Sequence, residues 1–167
     1  INEFKNIKKD IILISYMSFL IDLATQVMKQ NNNEEIYNLL ITTLYKIDEG
    51  LNPMVMTNIL ELKYLDYLGV GFDFNTCCKC GKKSNIVTID PDAGGYICKN
   101  CYTNEIIYDS KTLKMLRMYY LVDIKSISEL KISDNIIKNI NYFVNTYYDR
   151  YTGLYLKSKK FLNELIE

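Results

Sequence analysis

Histidine and tryptophan are absent from this chain of 167 residues. Without histidine it cannot assemble Ser-His-Asp or Cys-His nucleophilic machinery, and no metal in it is held by imidazole. Net charge is also lacking: 20 Lys plus Arg offset 20 Asp plus Glu, so composition does not announce a polyanion-binding protein. With 2 prolines there is no proline-rich joint, and neither an internal repeat nor a low-complexity linker interrupts the chain. The apolar run from Ile11 to Leu23 contains Asp22, lacks a signal-peptide cleavage site and is expected to be too short to span a bilayer, so no membrane partner is expected.

What is present is a set of 5 cysteines in one stretch. Cys77 and Cys80 are separated by two residues, a 17-residue interval follows, and Cys98 and Cys101 repeat the two-residue gap. Each pair closes a tight turn that aims two thiolates at one point, and the interval is long enough for a hairpin that brings the turns together. Zinc is the natural occupant. Four thiolates fill its coordination sphere and leave no position for water or substrate, which makes the site a structural clamp rather than a hydrolytic centre. A redox dithiol, or a site that has lost its metal, is the competing reading. Cys78 is expected to be a spare thiol, since only one residue separates it from Cys80. Gly81 and Asn100 are expected to take the left-handed backbone that such turns often require. Reduced cysteines in metal spacing fit a reducing, cytoplasmic compartment.

Around this stretch the pattern is helical. Residues 8–29 carry Leu13, Tyr16, Met17, Leu20, Ala24 and Val27 at helical spacing, apolar enough to predict a central helix. Asn33 is predicted to cap a second helix with Glu34 and Glu35 in its first turn, and Asn52-Pro53 to start a third whose buried side is Val55, Met56, Ile59, Leu60, Leu62 and Leu65. Asn85–Asp90 and Gly95–Ile97 read as two short strands around a turn. Ser110 is predicted to cap a helix from Lys111 to about Val122, Ser133 a longer one to Arg150, and Lys157-Ser158-Lys159-Lys160 to open a last short helix. The expected fold class is mainly α: a helical bundle with an inserted four-Cys zinc ribbon, a short β-hairpin, forming a single domain over 1–167 with the ribbon at 75–105.

Charge is unevenly distributed. Residues 111–167 hold 10 basic and 6 acidic side chains, whereas 1–76 hold 6 and 10. Lys111, Lys114 and Arg117 share one helix face opposite Leu113, Leu116 and Tyr120, and Lys157, Lys159 and Lys160 form a second cluster. Three cations opposite an apolar face ordinarily mean a solvated surface; the sharper reading is contact with nucleic acid or an acidic partner. The 15 tyrosines are explained by a biased genome composition rather than by base stacking.

Three helices, then Leu68-Gly69 ahead of Cys77, Cys80-Gly81, the run Asp90-Pro91-Asp92-Ala93-Gly94-Gly95 before Cys98, and Lys157-Ser158-Lys159-Lys160-Phe161-Leu162 near the end form an ordered set. Over nearly its whole length the chain resembles the C-terminal region of the bacterial RecO family. The resemblance implies that Cys77, Cys80, Cys98 and Cys101 are the family's four-cysteine site, holding one structural Zn2+. It implies a non-enzymatic factor of recombinational DNA repair, in which an N-terminal OB-fold precedes the helical zinc-containing region. Such proteins bind single- and double-stranded DNA, anneal strands, and act with RecR to load recombinase on DNA coated by single-stranded-DNA-binding protein. No OB-like series of strands is present here, so the chain is expected to be the zinc-stabilised part of a longer protein. Some members dock the acidic, aromatic-ended tail of the single-stranded-DNA-binding protein on the helix before the cysteines. Here that helix offers Lys63 as its one cation, which leaves the two basic clusters as candidate rims. The alternative is a stand-alone zinc-ribbon protein-interaction module.

Overall fold

A computed structural model describes residues 4–166; the outermost residues of the expected 1–167 domain lie outside the described part. Among the described residues, six α-helices and one two-stranded antiparallel sheet follow one another as α1 (Ile11–Gln30), α2 (Glu34–Asp48), α3 (Pro53–Tyr67), β1 (Ile86–Asp90), β2 (Gly95–Cys98), α4 (Ser110–Leu121), α5 (Asp134–Tyr151) and α6 (Lys157–Ile166). The cysteine-bearing hairpin is thus inserted between two groups of three helices.

The helix at the centre is α3 rather than α1. Every residue from Val55 to Leu62 is buried, and α3 packs against α1, α2, α4 and α5. An apolar helix can still lie at the rim if only one side meets protein, and α1 does so, leaving Ile11, Ile21 and Met28 exposed. The two polar residues Asn58 and Glu61, which suggest an outer face for α3, are buried with the rest. The apolar run at Ile11 continues as helix to Gln30, which makes α1 long and apolar enough, by length and composition, to cross a membrane. Its Leu20, Leu23, Ala24 and Val27 are fully buried in the bundle core.

Local chemistry sets the element starts. Asn33 accepts from the Glu35 amide and Asn52 from the Val55 amide, with Pro53 in the first turn of α3. At α4 the cap is Asp109, which accepts from the Thr112 amide at 2.7 Å, and Ser110 is already helical. Ser133 stands at the start of α5 without a side-chain cap bond. In α6 only Leu162 is buried, and Phe161 faces solvent.

Tyrosines tie distant segments together: their rings pack inside while the hydroxyls donate to backbone carbonyls. Tyr64 reaches Ile36, Tyr147 reaches Val70, Tyr148 reaches Glu61 and Tyr151 reaches Asp92, each at 2.7 Å. The last of these holds the β1–β2 turn against α5. Gly94 in that turn has φ +85°, and a Cβ there would meet the Tyr151 hydroxyl at 3.0 Å.

Asp48, at the end of α2, anchors the segment before α1. Its carboxylate accepts the Asn6 and Ile7 amides at 2.8 Å and that of Lys5 at 3.2 Å. Burial works against its ionisation, but these donors and the Lys8 charge outweigh it, and the carboxyl titrates below its ordinary range. A depressed folded pKa gives stability that is complete above the unfolded carboxyl pKa and disappears as pH falls through the folded one. Asp48→Asn is therefore expected to cost about 1 kcal/mol at neutral pH. In urea melts at a series of pH values the gap between the two proteins should close in acid, and a pH-independent gap would contradict this account.

Candidate metal centre

The hairpin pairs Ile86 with Cys98 and Asp90 with Gly95, with an irregularity between Ile86 and Thr88. Cys77 leads the first turn, in which the Gly81 amide donates to the Cys77 carbonyl and the Cys77 amide to that of Lys82, both at 2.8 Å. Gly81 adopts φ +74°, as its position between thiolate and turn demands. The second turn closes with the Cys101 and Tyr102 amides on the Cys98 carbonyl. Asn100 is not left-handed; Asn85 is, with φ +57°, and its carbonyl accepts the Lys99 amide, which joins the two turns.

This geometry brings the sulfurs of Cys77, Cys80, Cys98 and Cys101 within 4.8 Å of one another. Cys80 and Cys98 Sγ are 3.6 Å apart. A tetrahedral ion with bonds of about 2.3 Å needs its thiolates about 3.8 Å apart, so the cluster fits a metal ion. Cys77 and Cys98 are buried, whereas Cys80 is exposed. Burial raises the Cys77 thiol pKa, but amides of Cys98, Lys79 and Cys80 reverse the effect and bring it to about 6. Cys101 is held at about 12, first by its hydrogen bond to Cys80 and then by desolvation. A thiolate stabilised by backbone amides is suited to a cation. Cys78 is not one of the four clustered sulfurs, and its thiol is raised, by burial first and then by the Cys77 charge.

The ribbon is held to the bundle by aromatic packing. Phe72 and Phe74 each meet Tyr96 edge-on, Phe74 stacks on Tyr120 of α4, and Phe72 packs on Phe143 and Tyr147 of α5. Tyr96 also donates to the Leu113 carbonyl at 3.2 Å. At the solvent end Lys79 pairs with Glu105, and this contact and the Thr103 amide bring the Glu105 carboxyl to about 2.

The profile of the family described as Recombination protein O C terminal matches residues 8–160. The chain belongs to the RecO family. It is 31% identical to the DNA repair protein RecO of Bacillus cereus (strain AH187) over 99% of its own length and 68% of that protein. The RecO proteins of Bacillus anthracis and Bacillus cytotoxicus are similar at the same identity and coverage. The matched span contains the four clustered cysteines and reaches Lys160.

In this chain the two basic clusters are dispersed. Lys111 and Lys114 line a cavity of about 510 Å³ between α4 and the start of α5, floored by Met115, Met118, Ile132 and Ile136. Lys131, from the preceding loop, joins them; nothing in its sequence neighbourhood marks it, because only the fold brings that loop across from α4. Arg117 instead donates to Asn75 Oδ1 at 2.9 Å, bracing α4 against the segment before Cys77. In α6 Lys157 and Lys160 remain exposed, but Lys159 turns inward. Its ammonium bonds Glu61 Oε1 at 2.8 Å and lies 4.2 Å from the centre of the Phe19 ring. Lys63 is likewise engaged, donating to the Tyr120 carbonyl at 3.0 Å, with its pKa lowered by burial.

Proposed function

We propose that this chain works in recombinational DNA repair as the zinc-stabilised helical region, residues 1–167 with a ribbon at 75–105, of a RecO-type mediator. Its relatives are named DNA repair proteins, and the matching family is a recombination family. Cys77, Cys80, Cys98 and Cys101 hold one Zn2+, which supplies structure: four soft sulfur donors suit zinc and leave no open coordination position. The role is non-enzymatic and cytoplasmic. Together with RecR and single-stranded-DNA-binding protein it loads recombinase and anneals strands, and single- and double-stranded DNA is contacted chiefly through an OB-fold module in the complete protein.

The observation that carries the reading for this chain is the α4–α5 groove. Lys111 and Lys114 stand over a floor of Met and Ile, beside Lys131, which pairs with Glu129 at 3.2 Å; this is what an acidic segment ending in an apolar or aromatic residue requires: charge at the mouth and a dry seat below. It receives the acidic tail of the single-stranded-DNA-binding protein, while Lys157 and Lys160 lie on another helix as supplementary contacts for nucleic acid or an acidic partner.

The test uses a fluorescent tail peptide and the protein expressed from its complete reading frame. Lys111→Glu with Lys114→Glu is expected to weaken binding about tenfold and flatten its salt dependence, since two rim charges are reversed. Arg117→Glu should change it little. Equal binding by wild type and the double variant would remove the groove from the interface. In parallel, annealing should decline steeply with salt, as phosphate neutralisation requires.

A further inference from the structure

A second cavity, of about 430 Å³, is lined by residues of α1, α3, α5, α6 and the segment that leads into α6. Its walls include Phe19, Tyr148, Leu154 and Leu156, and Tyr155, 76% exposed, stands at its mouth. It is separate from the α4–α5 groove: Ile136 in one and Tyr148 in the other are about 18 Å apart along α5.

The polar groups of this cavity are short of donors. At its base Glu61, 1% exposed, receives Lys159 on one carboxylate oxygen and the Asn58 amide on the other at 2.9 Å, which uses about two of its four acceptor positions. Asn145 lines the cavity, and its Oδ1 is buried without a hydrogen-bond partner. Asp149 and Glu164 lie on the rim and form no ion pair among the described residues. Lys159 is neutralised by Glu61, so Lys160 alone offsets these two carboxylates and the mouth carries a net negative charge. A buried acceptor without a donor, as at Asn145 Oδ1, marks a place where a donor belongs.

We propose that this cavity seats an arginine side chain of a partner polypeptide, presented next to an apolar residue. A guanidinium offers five donors in a planar fork, which suits several acceptors spread around one pocket better than the three donors of an ammonium. Its flat face stacks on an aromatic ring, the part Tyr155 plays, and the remaining apolar wall takes the neighbouring side chain. The internal pair Lys159–Phe19 already shows a cation held over an aromatic ring at this junction. The carboxylates of Asp149 and Glu164 supply the charge complement and draw the cation to the mouth.

The experiment is an NMR titration of the zinc-loaded protein from its complete reading frame with three capped dipeptides: acetyl-Arg-Leu-amide, acetyl-Gln-Leu-amide and acetyl-Glu-Leu-amide. The Arg probe is expected to give saturable shifts at the Asn145 side-chain amide and at Leu154 and Tyr155, with a dissociation constant of about 1 mM, as befits one side-chain anchor. The Gln probe should bind at least about fivefold more weakly, and Asp149→Lys, an exposed change, should weaken the Arg probe by a similar factor. Equal binding of the Arg and Gln probes, tightest binding of the Glu probe, or no saturable shift with any of them would each overturn the proposal. None of these outcomes bears on the α4–α5 groove, which is read by the acidic tail peptide.

Discussion

Cys98→Ser is expected to lower bound zinc from one ion per chain to nearly none and to unfold the ribbon. Cys98 closes β2, is 1% exposed, donates its amide to Cys77 Sγ at 3.4 Å, and accepts both amides of the second turn on its carbonyl. Removing its sulfur therefore breaks the metal site where the two turns meet. Two strands of five and four residues do not hold themselves together, so a metal on the four cysteines would add to the stability that the aromatic packing on α4 and α5 supplies; in small zinc modules without such packing the metal's share is on the order of 10 kcal/mol. Hydrogen exchange should show protection lost from Ile86 to Cys98 and kept in α1 and α3, which pack chiefly on other helices. Chelation should reproduce the pattern. Cys78→Ser is the control: it should keep its zinc and stay within about 0.5 kcal/mol of wild type. Full zinc content in Cys98→Ser, or loss of zinc in Cys78→Ser, would reassign the ligand set.

The second large effect concerns a residue far from the cysteines. Glu61→Leu is expected to destabilise the fold by about 3–5 kcal/mol, because it leaves the Lys159 ammonium in a largely buried site without its counterion. Lys159→Met should cost a comparable amount for the converse reason: a carboxylate 1% exposed would keep only Asn58 as a donor. The pair Glu61→Leu with Lys159→Met removes both charges and should recover much of the loss, since two matched apolar side chains replace a desolvated ion pair. Urea denaturation of the three proteins decides the matter, and additive losses in the double variant would mean that the two residues act independently. Lys159 also draws α6 onto α1, where Ser158 donates to Asp22 at 2.6 Å, so the single variants should loosen the C-terminal helix before the rest.

Much of this architecture was legible because its signals are local. The starts of α2 and α3 follow from Asn33 and Asn52-Pro53, residues that satisfy free helix amides within three positions. The left-handed turn after Cys80 needs only Gly81. Asp109 took the cap expected of Ser110 because both can accept from an early helical amide, and the choice depends on where the segment after Cys101 turns into the helix. The central position of α3 was hidden by Asn58 and Glu61, which look like an outer face until their partners Asn141 and Lys159 are in place.

The sequence by itself determined the family, the helical class, the order of the elements and the set of four clustered cysteines. These reside in residue types, short spacings and caps, which act over a few positions along the chain. Only the tertiary structure decided which helix is central and which lysines remain available. Helical periodicity reports that a helix has an apolar side but not what packs against it, and three equally charged lysines read alike in sequence. Lys159 and Glu61 are 98 positions apart, Arg117 and Asn75 are 42 apart, and Lys131 reaches the α4 groove from another segment. Pairing over such distances is set by how the bundle closes, and that closure separates Lys111 and Lys114, left at an open groove, from Lys63 and Lys159, held within the fold.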